Sequence, residues 1–179
     1  MYILQFDGML HQPTGQNEKA GLLGYGWLVT NNESLVAHGF GLFAHNCMAN
    51  SNIAEYLALI EGLDALADLR IWKEPVEIRG DAKCVIDQMT GAASVSSVST
   101  RRLYQRARKL ADRFNHVTWG WIPRSKNKPA DKLSRRGLHQ LFVKPDAYAT
   151  ALNQLNAYPG GHSGFISLLD LRVYNPSRN

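Results

Sequence analysis

Asn52-Ile53-Ala54-Glu55-Tyr56-Leu57-Ala58-Leu59-Ile60-Glu61-Gly62-Leu63-Asp64-Ala65-Leu66-Ala67-Asp68-Leu69 is the first stretch of the chain with a helical period. Leu59, Ile60, Leu63 and Leu66 recur at the spacing of one helix face, and Glu61, Asp64 and Asp68 mark the other. Asn52 stands where a helix cap belongs, so the pattern predicts a helix over Ile53–Leu69. Glu55 breaks the polarity rule. With Glu55 at 0° on a helical projection, Leu66 falls near ~20° and Leu59 near ~40°. The other three acids fall between about 180° and 240°. Glu55 therefore points with the core residues.

Upstream of this helix the chain reads as three strands. Met1–Phe6 is apolar and ends at Asp7-Gly8, a turn signal; Met9–Ala20 is polar and reads as a loop. Gly21–Val29 and Ser34–Phe43 are strand candidates joined through Asn31-Asn32, a tight hairpin connection. Downstream, Val76–Gly80 reads as a strand, Cys84–Met89 as a short helix stopped by Gly91, and Ala92–Thr100 as a Ser-rich connector. Arg101–Phe114 reads as a helix, Val117–Ile122 as a strand, and Pro123–Lys128 as a loop. Pro129 suits the first turn of a helix running to Leu141. The order β-β-β-α-β-α-α-β-α predicts a mixed sheet flanked by helices. Residues 1–141 would form this domain, and 142–179 an extension of unassigned role. In it Asp146–Tyr158 reads as a helix, Pro159-Gly160-Gly161 as its break, and Phe165–Val173 as a strand or a short helix.

The 179 residues, 45% of them apolar, suit one globular domain with an appendage. No apolar run approaches the roughly 20 residues of a membrane span, and Met1–Gly8 lacks a basic leader. Cys47 and Cys84, the two cysteines, do not make a disulfide scaffold, so a reducing, cytoplasmic setting is expected; a monomer is expected as well. Charge is unevenly placed. Twelve basic residues and two acids lie between Arg101 and Arg136, against eight basic and thirteen acidic in the rest. Arg101, Arg102, Arg106, Lys109 and Arg113 share an arc opposite Leu103, Ala107, Leu110 and Phe114. A merely solvated face mixes signs at i,i+4, and here only Asp112 interrupts. The patch points to a polyanion partner.

Four acids occupy positions that a structural role explains only one at a time. Asp7 and Asp81 end strands, Glu55 points inward, and Asp131 opens the last helix. Converging carboxylates repel and require cations. An all-oxygen set suits Mg²⁺ or Mn²⁺, and two such ions can drive phosphodiester hydrolysis.

Phe6-Asp7-Gly8, Asn52 through Leu59, Gly80-Asp81-Ala82 and Pro123-Arg124-Ser125-Lys126-Asn127-Lys128-Pro129-Ala130-Asp131-Lys132-Leu133 together resemble the type 1 ribonuclease H family over roughly Tyr2 to Leu141. The resemblance implies a five-stranded mixed sheet and a metal-dependent endonuclease that cuts the RNA strand of RNA–DNA hybrids, leaving 5′-phosphates. It implies that Asp7 bridges two Mg²⁺ ions, with Mn²⁺ a possible substitute. Asp131 would hold the ion that activates water, and Glu55 and Asp81 the other. Asn52 would read RNA 2′-hydroxyls, or else serve as a plain helix cap. Ser51, Asn127, Arg101, Arg102 and Arg106 complete the expected substrate-binding set.

The pattern has departures. Met9 and Ala82 replace residues that are usually small and polar or Ser, and Ser51 replaces one of two usual asparagines. The loop before Asp131 offers Arg124 where many members carry a histidine; Arg124 would contact a scissile or product phosphate, or simply anchor one. The extra basic protrusion of some members is missing, and the arginine-rich helix would replace it. The six histidines lack metal-ligand spacing, and the four tryptophans read first as core and rim. Trp119-Gly120-Trp121 would put two rings on one face, where base stacking is an option. Two other readings stay open: another nuclease on the same fold acting on DNA or structured RNA, and a non-catalytic nucleic-acid-binding module.

Overall fold

The computed structural model describes residues 1–13, 21–45, 49–157 and 165–175. Cys47, His162, Tyr158, the Pro159-Gly160-Gly161 break and most of the Met9–Ala20 loop lie outside the described residues. A six-stranded sheet forms the centre. Its strands are β1 (Tyr2–His11), β2 (Gly21–Asn31), β3 (Ser34–His45), β4 (Val76–Gly80), β5 (Val117–Trp121) and β6 (Phe165–Tyr174). Helices α1 (Ser51–Asp68), α2 (Lys83–Thr90), α3 (Val98–Ala111), α4 (Lys128–Phe142) and α5 (Pro145–Ala157) cover it. The strand order is β5-β4-β1-β2-β3-β6. β1 pairs antiparallel with β2 and parallel with β4, and β4 pairs parallel with β5, so the sheet is mixed as expected.

Strand alternation splits the core between the two faces. Leu4 and Phe6 point to the face packed by α1, α2 and α3, in a cluster with Ile53, Leu59, Val85 and Leu103. Gln5 and Asp7 point to the other face, toward the start of α4. There Leu22, Leu42, Leu138, Leu141 and Ala151 form a second cluster. Each fully buried leucine contributes about 2 kcal/mol.

Several expectations shift in detail. The extension adds a sixth strand: β6 pairs antiparallel with β3 along its length. β1 does not end at Asp7 but continues to His11, because its antiparallel ladder with β2 runs on where the parallel ladder with β4 stops at Phe6. The hairpin turn is Asn32-Glu33, both with positive φ, one residue later than read. The cap of α1 is Asn50, whose Oδ1 accepts from the Ile53 N–H at 3.1 Å, so Asn52 lies inside the first turn. The supposed connector already forms the first turn of α3, which starts at Val98. Glu61 is not solvated: β6 brings Arg172 to within 2.5 Å of its carboxylate, and Glu61 is buried. No helix among the described residues is long and apolar enough to cross a membrane.

Candidate active site

Asp7 of β1, Glu55 of α1 and Asp81 just after β4 meet where the parallel β1–β4 ladder ends. One carboxylate oxygen from each lies within 4.8 Å of the others. The backbone makes this possible at Gly8. A Cβ there would stand 2.2 Å from the Ala54 carbonyl carbon and the Glu55 nitrogen, so only glycine lets β1 touch the first turn of α1. A similar approach seats α4 on β2, where a Cβ at Gly26 would stand 2.4 Å from the Ser134 nitrogen.

Burial and mutual repulsion raise the first two acids. Asp7 is pushed up to about 6, first by burial and then by the Asp81 and Asp131 charges, against the Ser134 hydroxyl that donates to it. Glu55 is pushed well above the usual carboxylate range by burial and by Asp7 and Asp81, with the Gly8 N–H opposing. Its buried Oε2 has no hydrogen-bond partner among the described residues. Three crowded carboxylates with one orphaned oxygen fit a hard divalent cation, which would satisfy that oxygen and remove the repulsion. Asp81 is held from two sides. Its Oδ1 accepts from Asn127 Nδ2 at 2.8 Å, and its backbone carbonyl accepts from Trp121 Nε1 at 3.1 Å.

Asp131 stands apart from this trio. Arg135 Nε reaches its Oδ2 at 2.8 Å and Arg124 Nη2 its Oδ1 at 2.8 Å. These contacts hold its carboxyl below the usual range, Arg135 foremost. Its charge nonetheless acts on Asp7, so the two are neighbours.

The expected substrate-binding residues separate. Asn52 is half-buried and donates to the Cys84 Sγ at 3.7 Å; Ser51 is exposed at the start of α1. Arg101 and Arg102 are exposed on α3 and enter no ion pair among the described residues. Arg106 pairs with Asp64 of α1 at 3.0 Å, so α3 is tied to α1 through one of its expected phosphate contacts. Asn127 is fully buried, its amide spent on Asp81 and on the Phe6 carbonyl at 2.9 Å. Two residues escaped sequence reasoning. Ser134, fully buried, donates to Asp7, and Arg135 chelates Asp131. Their signal was their place three and four residues after Asp131, on the same helix face.

The profile of the reverse transcriptase-like family matches residues 6–137. A ribonuclease HI of Halobacterium salinarum is 37% identical over 114 residues, 63% of this chain and 55% of that protein. A bifunctional protein of Mycobacterium tuberculosis is 37% identical over 86 residues, 48% of this chain and 23% of its own length. The chain thus spans from 23% to 55% of the length of these relatives. The crystal structure of RNase H1 from Halobacterium salinarum superposes with a TM-score of 0.65 at 31% identity, covering 78% of this chain and 98% of that one.

Proposed function

The chain belongs to the reverse transcriptase-like family as a type 1 ribonuclease H, and we propose that it is a metal-dependent endoribonuclease that hydrolyses the RNA strand of RNA–DNA hybrids. One observation carries the reading: Asp7 of β1, Glu55 of α1 and Asp81, just after β4, offer three oxygens within 4.8 Å.

In this reading Asp7, Glu55, Asp81 and Asp131 would hold two Mg²⁺ ions, with Mn²⁺ a possible substitute. The ions supply water activation and stabilisation of the leaving oxygen when bound. The protein's own groups prepare the rest. Asn127 and Trp121 fix Asp81 by its carboxylate and its carbonyl. Ser134 fixes one oxygen of Asp7. Arg124 and Arg135 neutralise Asp131, and Arg124, largely exposed, is placed to exchange that contact for a substrate phosphate. Asn52 would accept or donate to RNA 2′-hydroxyls, which distinguish RNA from DNA. Arg101 and Arg102 would hold backbone phosphates beyond the cut.

The test is cleavage of an end-labelled RNA–DNA hybrid with Mg²⁺ or Mn²⁺, beside DNA duplex, RNA duplex and single strands. RNA should be cut only in the hybrid, with 5′-phosphate ends, and Asp81→Asn should abolish cutting. Cutting of another substrate would replace the substrate class. Binding without cleavage under either metal would leave a binding module.

A further inference from the structure

The four tryptophans have different fates. Trp27 is fully buried, Trp72 lies against Phe114 with Arg113 4.5 Å above its ring, and Trp119 packs on the core. Trp121 alone among them is left 51% exposed. It ends β5, paired in register with Gly80, the residue before Asp81. Its indole N–H is not wasted on solvent: it donates to the Asp81 carbonyl at 3.1 Å.

That combination has a physical meaning. A single exposed apolar side chain is ordinary on a protein surface; what sets this ring apart is its fixed place beside Asp81. Here the hydrogen bond fixes the polar edge of the ring, so the apolar faces are held in place beside Asp81. The ring loses little entropy when a partner covers it. A phosphate delivered to Asp7, Glu55 and Asp81 brings its flanking sugar and base past β5. Arg124, whose charge acts on both Asp7 and Asp81, stands close enough to take the anionic part. An aromatic face next to a guanidinium is the usual composition of a single-nucleotide step in a nucleic-acid track.

We propose that Trp121 is a substrate-binding residue, its indole covering the sugar or base of a nucleotide that flanks the scissile phosphate of the hybrid. This rests on the hydrolase reading above and adds to it a contact that is apolar, insensitive to sequence and insensitive to salt. Stacking on an aromatic side chain serves any base, because every base has a π-face.

The test uses the full chain in Ca²⁺, to separate binding from turnover. A fluorescein-labelled RNA–DNA hybrid is titrated by anisotropy into wild type, Trp121→Phe and Trp121→Ala. Tryptophan emission is followed with unlabelled hybrid, and Mn²⁺ binding is measured calorimetrically without nucleic acid. Trp121→Ala should bind the hybrid about 10-fold more weakly, with a much smaller loss of Mn²⁺ affinity, since Asn127 still holds the Asp81 carboxylate. Trp121→Phe, which keeps a ring but loses the N–H, should recover most of the affinity. The hybrid should alter the emission of wild type and not that of Trp121→Phe. If wild type binds the hybrid and Trp121→Ala binds it equally well, the contact does not exist. If Trp121→Ala loses Mn²⁺ and hybrid in parallel, and Phe does not rescue, Trp121 only anchors Asp81. If wild type itself ignores the hybrid, the substrate reading falls and this contact with it.

Discussion

Asp7 carries opposing demands at one side chain. It is buried, faces Asp81 and Asp131, and yet must be ionised to hold a cation. Burial foremost pushes its carboxyl up to about 6, from an ordinary value of 3.8. The folded state therefore keeps a proton that the unfolded chain releases, and stability falls as pH rises between those values. The shift corresponds to ~3 kcal/mol. Asp7→Asn removes the charge and leaves an oxygen to accept from Ser134. Without divalent metal near pH 8 it should melt higher than wild type by on the order of 5 °C. The gap should shrink near pH 4.5, where wild type is protonated too, and also when Mg²⁺ is added, since only wild type binds it well. Equal melting temperatures at pH 8 would mean that neither burial nor the neighbouring charges penalise the Asp7 carboxylate. At this scale the sequence was readable where chemistry is exceptional. An inward-pointing Glu55 and an acid amid basic residues at Asp131 stand out in one dimension. Ser134 does not, because a serine on a helix is ordinary until the strand it faces is known.

The element that brings the acids together is the contact of β1 with α1, and Gly8 is its hinge point. Read along the chain, Asp7-Gly8 marks a turn. In the fold the glycine serves a close approach instead, with β1 running straight on to His11. Both uses favour glycine, so local sequence could not tell them apart. The obstacle to a side chain is rigid backbone of α1 rather than a movable side chain. Gly8→Ala should therefore separate strand from helix, destabilise the protein by roughly 1–3 kcal/mol or more, and weaken Mn²⁺ binding at the same time. Urea unfolding and a calorimetric Mn²⁺ titration check this; a variant of unchanged midpoint and unchanged affinity would show that the approach has slack. The helices α1, α2 and α4 were legible to within a few residues, since their apolar periods are local. Their caps were less so: Asn50 and Asn52 are both good cap residues, and the choice belongs to where the chain leaves β3.

Across the whole molecule, charge and topology answer to each other. The fate of Glu61 was illegible because its partner, Arg172, is 111 residues away on a strand outside the expected sheet. Arg172 also reaches Asp68 at 3.1 Å, so β6 is clamped to α1 by charge as well as by its ladder with β3. The same bookkeeping applies to the basic third of the chain. Its twelve cations are not equivalent: Arg106 is held by Asp64, while Arg108 donates to the Met89 carbonyl at 2.8 Å. Arg124 and Arg135 serve Asp131, and Arg113 covers Trp72. What no ion pair holds on α3 among the described residues is Arg101, Arg102 and, in its last turn, Lys109. Counterion release then makes a quantitative distinction. Each lost phosphate contact lowers the slope of log K against log salt by about 1. Replacing Arg101 and Arg102 together with alanine should lower the slope for RNA–DNA hybrid binding by about 2. Arg106→Ala should lower it by well under 1 and instead reduce stability slightly, as loss of an exposed ion pair does. Anisotropy titrations at three or four salt concentrations decide this. If Arg106→Ala changed the slope as much as Arg101→Ala, the guanidinium would leave Asp64 for phosphate when the hybrid arrives, and α3 would bind as one continuous basic face.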